Sequence, residues 1–294
     1  MKRDVTARAT ATATAIKALM LVSACLPIEG AEVEDRRSAG RTVEGRLVDA
    51  STGDPVPFVN LGIPGANRGT VGDEQGAFRL EDIASDHVIV FIAIGYERRT
   101  LPVSEFPEDG TIRLVPAEIA FHEAIEVRAD PAGTAEVLGH RYSERGYGVG
   151  YGNGRLGAEI GAAIKIKRRT YLESANFPVT HPGGERFLYR VNLYDFDGGE
   201  VGENLLSENL LIDTKQERGT ITIDLRDHGL IVDRDVLLTL EWVRDDRETG
   251  NANVMFRAKP RSKGNLYLKP TPQMPFFKVR RHGSGFHLIG YSLD

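Results

Sequence analysis

Between Thr42 and Val127 short apolar stretches are cut apart by clusters of Gly, Pro and Asp. The strings are Gly45-Arg-Leu-Val-Asp49, Thr52-Gly-Asp-Pro-Val56, Phe58-Val-Asn-Leu-Gly-Ile63, Gly69-Thr-Val-Gly-Asp73, Gly76-Ala-Phe78, Ile94-Gly-Tyr96 and Glu123-Ala-Ile-Glu-Val127. Such punctuation leaves room for strands of about four to eight residues and excludes long helices. Val59, Leu61 and Ile63 alternate with Phe58, Asn60 and Gly62, the period of a strand with one buried face. His87 to Ile94 is almost continuously apolar, as expected of a strand covered on both sides. Strands are predicted at 42–49, 57–63, 76–80, 87–95, 96–102, 110–115 and 122–128, with turns at Gly65, Gly69, Gly72 and Gly76.

The same period of two returns after residue 160. Ile160, Ala162, Ile164 and Ile166 alternate, as do Phe187 to Leu193, Ile221 to Leu225, and Val236 to Trp242. Four such segments without a 3.6-residue period predict a second, half-buried sheet system. Trp242 falls on the face shared by Val236, Leu238 and Leu240 and is predicted to be buried. Between the halves lies Gly146-Tyr-Gly-Val-Gly-Tyr-Gly-Asn-Gly154, too rich in glycine for a stable element interior by itself. The expected fold is all-β, two β-sandwich domains joined by this Gly-rich linker. The predicted segments are an export signal at 1–31, a charged tether at 32–41, a first domain at 42–128, the linker at 129–159 and a second domain at 160–294. The linker is expected to be a weak joint between two separate cores.

The order of punctuation in 42–128 resembles the carboxypeptidase-like regulatory domain, a transthyretin-like, Greek-key β-sandwich common in Gram-negative envelope proteins. The resemblance implies a module that accompanies other machinery and brings no catalytic residues of its own. The second half is similar to β-sandwich regions that follow this domain in envelope proteins.

Residues 1–31 resemble a targeting segment: Lys2 and Arg3, a Thr/Ala-rich stretch, then the short apolar core Ala18-Leu-Met-Leu-Val22. That core is far below the ~20 residues of a spanning helix. The chain's one cysteine, Cys25, ends Val22-Ser-Ala-Cys25, which resembles a lipobox. Lipidation of Cys25 and plain secretion both stay open, so an outer-membrane lipoprotein or a periplasmic or cell-surface protein is expected. Formal net charge is −5, so no global field draws nucleic acid or an anionic membrane. The densest basic run, Lys165-Ile-Lys-Arg-Arg169, reads as the solvated face of a strand.

The chemistry-bearing patterns are sparse. None of the seven histidines has Glu three residues on, so the His-x-x-Glu pair of a zinc carboxypeptidase is missing. Gly152-Asn-Gly-Arg-Leu-Gly157 has dinucleotide-loop spacing but precedes an alternating β segment rather than a helix. Asp195-Phe-Asp-Gly-Gly-Glu200 groups three carboxylates, either a calcium loop or a solvated hairpin turn. His282 and His287 flank Gly283-Ser284-Gly285, either facing each other on a hairpin as metal ligands or bounding a turn that closes on Phe286 and Leu288, and Ser284 lacks the glycine of a nucleophile elbow. Tyr142, Tyr147 and Tyr151, with Arg141, Arg145 and Arg155, surround the glycine run and suit either sugar stacking and protein contact or packing of the linker. No catalytic residue, cofactor or metal is expected. The binding-loop candidates are Tyr147, Tyr151, Asp195 and Asp197. The expected function is a non-catalytic envelope interaction module, of adaptor or adhesion type, with a protein partner. Two alternatives remain: a glycan-binding accessory protein and a β-sandwich hydrolase with an unrecognised site.

Overall fold

The computed structural model describes residues 40–117, 134–142, 147–150, 155–181, 186–215, 219–245 and 255–293. Regular structure among them is strand, apart from single 3₁₀ turns at Val103–Glu105 and Arg226–His228. Cys25, Arg145, Tyr151 and the predicted strand at 122–128 lie outside the described residues.

The first sandwich holds β1 (Arg41–Asp49), β2 (Asn60–Gly62), β3 (Gly69–Val71), β4 (Ala77–Ile83), β5 (Val88–Ile92), β6 (Arg99–Pro102) and β7 (Thr111–Leu114). One sheet runs β4-β1-β7 and the other β3-β2-β5-β6, with β1 parallel to β7. Val43, Leu47, Val59, Leu61, Phe78, Leu80, Ile89, Phe91, Ile112 and Leu114 fill the space between them. β3 is not predicted by the sequence, because Gly69 and Gly72 look like turn residues, whereas Gly69 opens a short strand and Gly72 follows it. The strands predicted at 87–95 and 96–102 are shorter, since the chain turns at Ala93, whose carbonyl accepts the Tyr96 N–H at 3.3 Å.

The second sandwich holds β8 (Glu136–Gly139), β9 (Gly148–Gly150), β10 (Glu159–Ile164), β11 (Thr170–His181), β12 (Phe187–Asp197), β13 (Glu200–Asn204), β14 (Leu210–Thr214) and β15 (Gly219–Asp224). It continues with β16 (Ile231–Val232), β17 (Val236–Asp245), β18 (Met255–Pro260), β19 (Leu266–Lys269), β20 (Phe277–Lys278), β21 (His282–Ser284) and β22 (His287–Ser292). The front sheet runs β13-β12-β17-β10-β19-β20, with β14 on β12. The back sheet runs β21-β18-β11-β22-β8, with β9 on β18 and β15 and β16 on β11. The inward set is the one the alternation marks: Ile160, Ala162, Ile164, Tyr189, Val191, Leu193, Leu238, Leu240 and Trp242 are buried in one cluster. Phe177, Phe256 and Phe286 close it with edge-to-face contacts at 4.8 and 5.2 Å.

Three readings of this half need correction. The stretch read as a linker contributes β8 and β9 to the back sheet. β9 pairs with β18, and its Val149 is buried in the second core, so a partner strand stabilises what local propensity does not. Alternation also stops sooner than expected at Lys165–Arg169. β10 ends at Ile164, and the Ile166 N–H goes to Asp235 Oδ1 at 3.0 Å, so the exposed basic run is a connection rather than a strand face. Finally, β11 went unread. Its register shifts twice, between Leu172 and Ser174 and between Val179 and His181, and Pro178 falls where pairing with β22 ends and pairing with β18 begins.

The two cores are separate clusters, and the sandwiches also pack against each other. Phe58 and Val71 of the first bury against Leu188 and Val243 on the outer face of the front sheet. Gly69 faces Pro272, whose Cδ would lie 2.7 Å from an added Cβ. Gly157, at φ +78°, would bring a Cβ to 2.2 Å from Pro272 Cγ. Between these contacts a charged row crosses four neighbouring strands: Lys269, Glu159, Glu241 and Arg190 stand opposite one another in register on β19, β10, β17 and β12. Adjacent carboxylates on a sheet repel. Here each has its own cation. Arg190 grips Glu241 with two bonds of 2.7 and 2.8 Å, and Lys269 Nζ lies 2.8 Å from Glu159. Asn192 Nδ2 bridges the two acids, at 3.2 Å from Glu159 and 3.0 Å from Glu241, and Thr239 Oγ1 donates to Glu159 at 2.6 Å. Burial opposes the charge on Glu241, but the Arg190 guanidinium outweighs it and holds the carboxyl below the usual range. Arg190 also donates to the Phe58 carbonyl of the first sandwich at 2.8 Å. The row therefore locks the domains together.

Candidate functional site

Strand pairing brings several of the residues singled out in sequence to one place on the back sheet. β8 pairs with β22, with Gly139 opposite His287, and this carries His140, Arg141 and Tyr142 to the end of that strand. β9 pairs with β18, and the Tyr147 carbonyl accepts the Ala258 N–H at 3.3 Å. β21 pairs with β18, setting Lys259 and Pro260 beside Gly283 and His282.

The result is a patch of rings and cations. Tyr142 stacks on His140 at 5.7 Å, with Lys259 Nζ 5.8 Å from the tyrosine centroid. Tyr147 stacks on His282 at 5.7 Å. Beneath them Arg257 Nη1 donates to the Tyr142 carbonyl at 3.1 Å. Burial pushes the phenols of Tyr142 and Tyr147 up, so both remain O–H donors.

His287 is buried under the patch. Arg141 Nε can only donate, so His287 Nε2, 3.1 Å away, accepts. Nδ1 therefore carries the proton and donates to the Gly285 carbonyl at 3.0 Å. Burial, and then the Arg141 charge, hold the ring below its ordinary value of 6.5. Both nitrogens are engaged, and the buried Ser284 Oγ accepts the Phe286 N–H at 3.2 Å, so this pair is not arranged as nucleophile and base.

The two histidines do not face each other. β21 pairs with β18, whereas β22 pairs with β11 and β8, and His282 Nδ1 lies instead 2.9 Å from the Arg280 carbonyl. Asp195 and Asp197 lie apart from the patch, at the end of β12 on the front sheet, where the chain turns through Gly198–Gly199. They border an open hollow of about 490 Å³ with Arg234 and Asp235. Asp195 binds the Phe196 N–H and lies 3.7 Å from Arg234, and among the described residues no group of three metal-ligating side chains forms. Arg155 is at the domain junction, 3.5 Å from the Asn67 carbonyl.

His140, Arg257 and Lys259 were not singled out in sequence. The signal for Arg257 and Lys259, an alternating basic-apolar run in Met255–Pro260, is weak until β9 and β21 are placed on either side.

The first sandwich is thus a pair of sheets in which β1 runs parallel to β7. Residues 43–122 match the family model of the CarboxypepD_reg-like domain, so the first sandwich is similar to that domain, whose fold is transthyretin-like. No peptidase domain is matched in the chain. A search of curated proteins finds no match to it.

Proposed function

We propose that the chain is a non-catalytic interaction module of the cell envelope, and that Tyr142, Tyr147, His140, His282 and Lys259 form its contact surface. The observation that carries this reading is the pair of tyrosine–histidine stacks beside a lysine, with His140, Tyr142 and Tyr147 next to the ends of paired strands and His282 and Lys259 on them. Rings of this kind supply contact area at low entropic cost and dominate recognition surfaces. In this reading the chain is exported, and Cys25 carries an anchor where the segment is lipidated.

The stacks also favour a second reading, a glycan-binding accessory protein, since sugar faces pack on such rings. Capture from solubilised membranes with the purified chain separates the two. A defined protein that returns the chain in reciprocal capture supports the adaptor. Retention on envelope polysaccharide supports the glycan reading. Tyr147→Ala with His282→Ala is expected to abolish either interaction while leaving the fold intact, and unchanged binding by this variant would exclude the patch. No hydrolysis of peptide, ester or glycoside is expected. Turnover that survives repurification and is lost in His287→Ala would overturn the non-catalytic reading.

A further inference from the structure

The first sandwich is acidic, with twelve Asp and Glu against seven Arg and no Lys over residues 40–117. Four of those arginines are engaged elsewhere in the domain. Arg41 donates to the Val103 carbonyl, Arg46 to the Gln75 carbonyl, Arg68 pairs with Asp82, and Arg79 pairs with Glu44 and Glu81. The remaining three, Arg98, Arg99 and Arg113, border a single hollow of about 300 Å³ together with Glu97, Thr100 and Val115.

That hollow forms where the two sheets meet at their edges. β6 ends one sheet and β7 ends the other. The Glu97 N–H donates to the Val115 carbonyl at 2.8 Å, and the Ala117 N–H to the Gly95 carbonyl at 2.9 Å, fixing the two edges against each other. Arg99 is further held by a bond from Nη1 to the Arg113 carbonyl. Neither the Arg98 nor the Arg113 guanidinium has a hydrogen-bonded or ion-paired partner among the described residues. Glu97 is the one acid on the rim. The next acid, Asp109, is engaged with the Thr111 N–H at 3.0 Å, although its charge does feel Arg113.

We propose that this hollow binds a phosphoryl group. Three arginines border one hollow with a single acid, Glu97, in an otherwise acidic domain, and a bound anion would offset the charge that Glu97 leaves unbalanced. Guanidinium forks match a phosphate, with its three acceptor oxygens and charge of about −1.5 to −2, better than a singly charged carboxylate. The hollow is open to solvent, so it suits a phosphate at the end of a larger molecule, whether a lipid headgroup or a soluble phosphate ester. The site lies on the first sandwich and does not depend on the tyrosine patch of the second.

The test uses the full chain with its arginine Nε–Hε resonances assigned. Pyrophosphate is titrated at constant ionic strength, and flotation with phosphatidylglycerol vesicles is compared with phosphatidylcholine vesicles. Saturable shifts confined to Arg98, Arg99 and Arg113 are expected, weakened at least tenfold in the exposed-site variant Arg98→Gln with Arg113→Gln. Co-flotation with the anionic vesicles, lost in that variant, assigns the phosphate to a lipid headgroup. Pyrophosphate binding without co-flotation assigns it to a soluble ester. Diffuse shifts over all seven arginines with no selective flotation, or equal binding by the variant, would overturn the proposal.

Discussion

Replacing Arg190 tests whether the charged row does what its geometry implies. The side chain is 3% exposed and that of Glu241 is fully buried. Two unit charges about 4 Å apart attract by about 4 kcal/mol at an effective dielectric near 20. Removing one partner of such a pair costs about 3–5 kcal/mol, mainly by stranding the other charge. The two ends of the pair are not equivalent. Glu241→Gln strands Arg190 but relieves repulsion from Glu159, and is expected near the low end, about 3 kcal/mol. Arg190→Met leaves two adjacent carboxylates to Lys269 alone. It also removes the donors to the Phe58 carbonyl and Asn209 Oδ1, so it belongs at the high end, about 5 kcal/mol. Combining Arg190→Met with Glu241→Gln is expected to cost less than the sum of the two single changes, because neither charge is left unpaired. Urea unfolding followed by Trp242 fluorescence and by far-ultraviolet circular dichroism measures all three. In the wild type the two signals are expected to coincide. In Arg190→Met they are expected to separate, since the buried polar tie to the Phe58 carbonyl is lost and the junction is weakened. An Arg190→Met cost below about 1 kcal/mol with coincident transitions would refute the locking role.

Three further outcomes follow from single sites. Trp242 is 1% exposed, with its indole N–H 3.1 Å from the Arg244 carbonyl, so native emission at short wavelength and a loss of about 3–5 kcal/mol in Trp242→Ala are expected. Gly157→Ala meets both a left-handed φ and Pro272, whereas Gly53→Ala at the same φ of +78° meets nothing within 4 Å. The first is expected to exceed the second by about 1–3 kcal/mol in urea midpoint analysis, the difference reporting the junction contact. His287 is held neutral, its folded value lying below 6.5. Its contribution to stability is therefore full above about pH 6.5 and is lost as pH falls through the lowered folded value. The urea midpoint is expected to drop across that window in the wild type, and the drop is expected to shrink in His287→Gln.

Alternation made the inward faces of β10, β12 and β17 legible, because one buried face imposes a period of two whatever the partner is. It is silent about what covers the other face. Glu241 sits between Leu240 and Trp242 and reads as solvent-facing, yet Leu188 and Val243 share the outer face with the charged row and meet Phe58 and Val71 there. An outward face that mixes Leu and Val with Arg and Glu is one that packs against another body, and that mixture was the available signal. Gly69, Gly157 and the run around Val149 were misread for a related reason. Glycine is a poor strand former alone, but it is the residue that lets a second backbone or a proline approach closely, and only the partner distinguishes a turn from a contact. The tyrosine patch was half visible. Tyr142, Tyr147 and His282 stood out by residue type, but the pairings of β8 with β22 and β9 with β18 span more than a hundred residues of sequence. No local pattern encodes such pairings. They follow from which edges remain open once the core strands have paired, so the proposed contact surface is a product of the topology rather than of any contiguous motif.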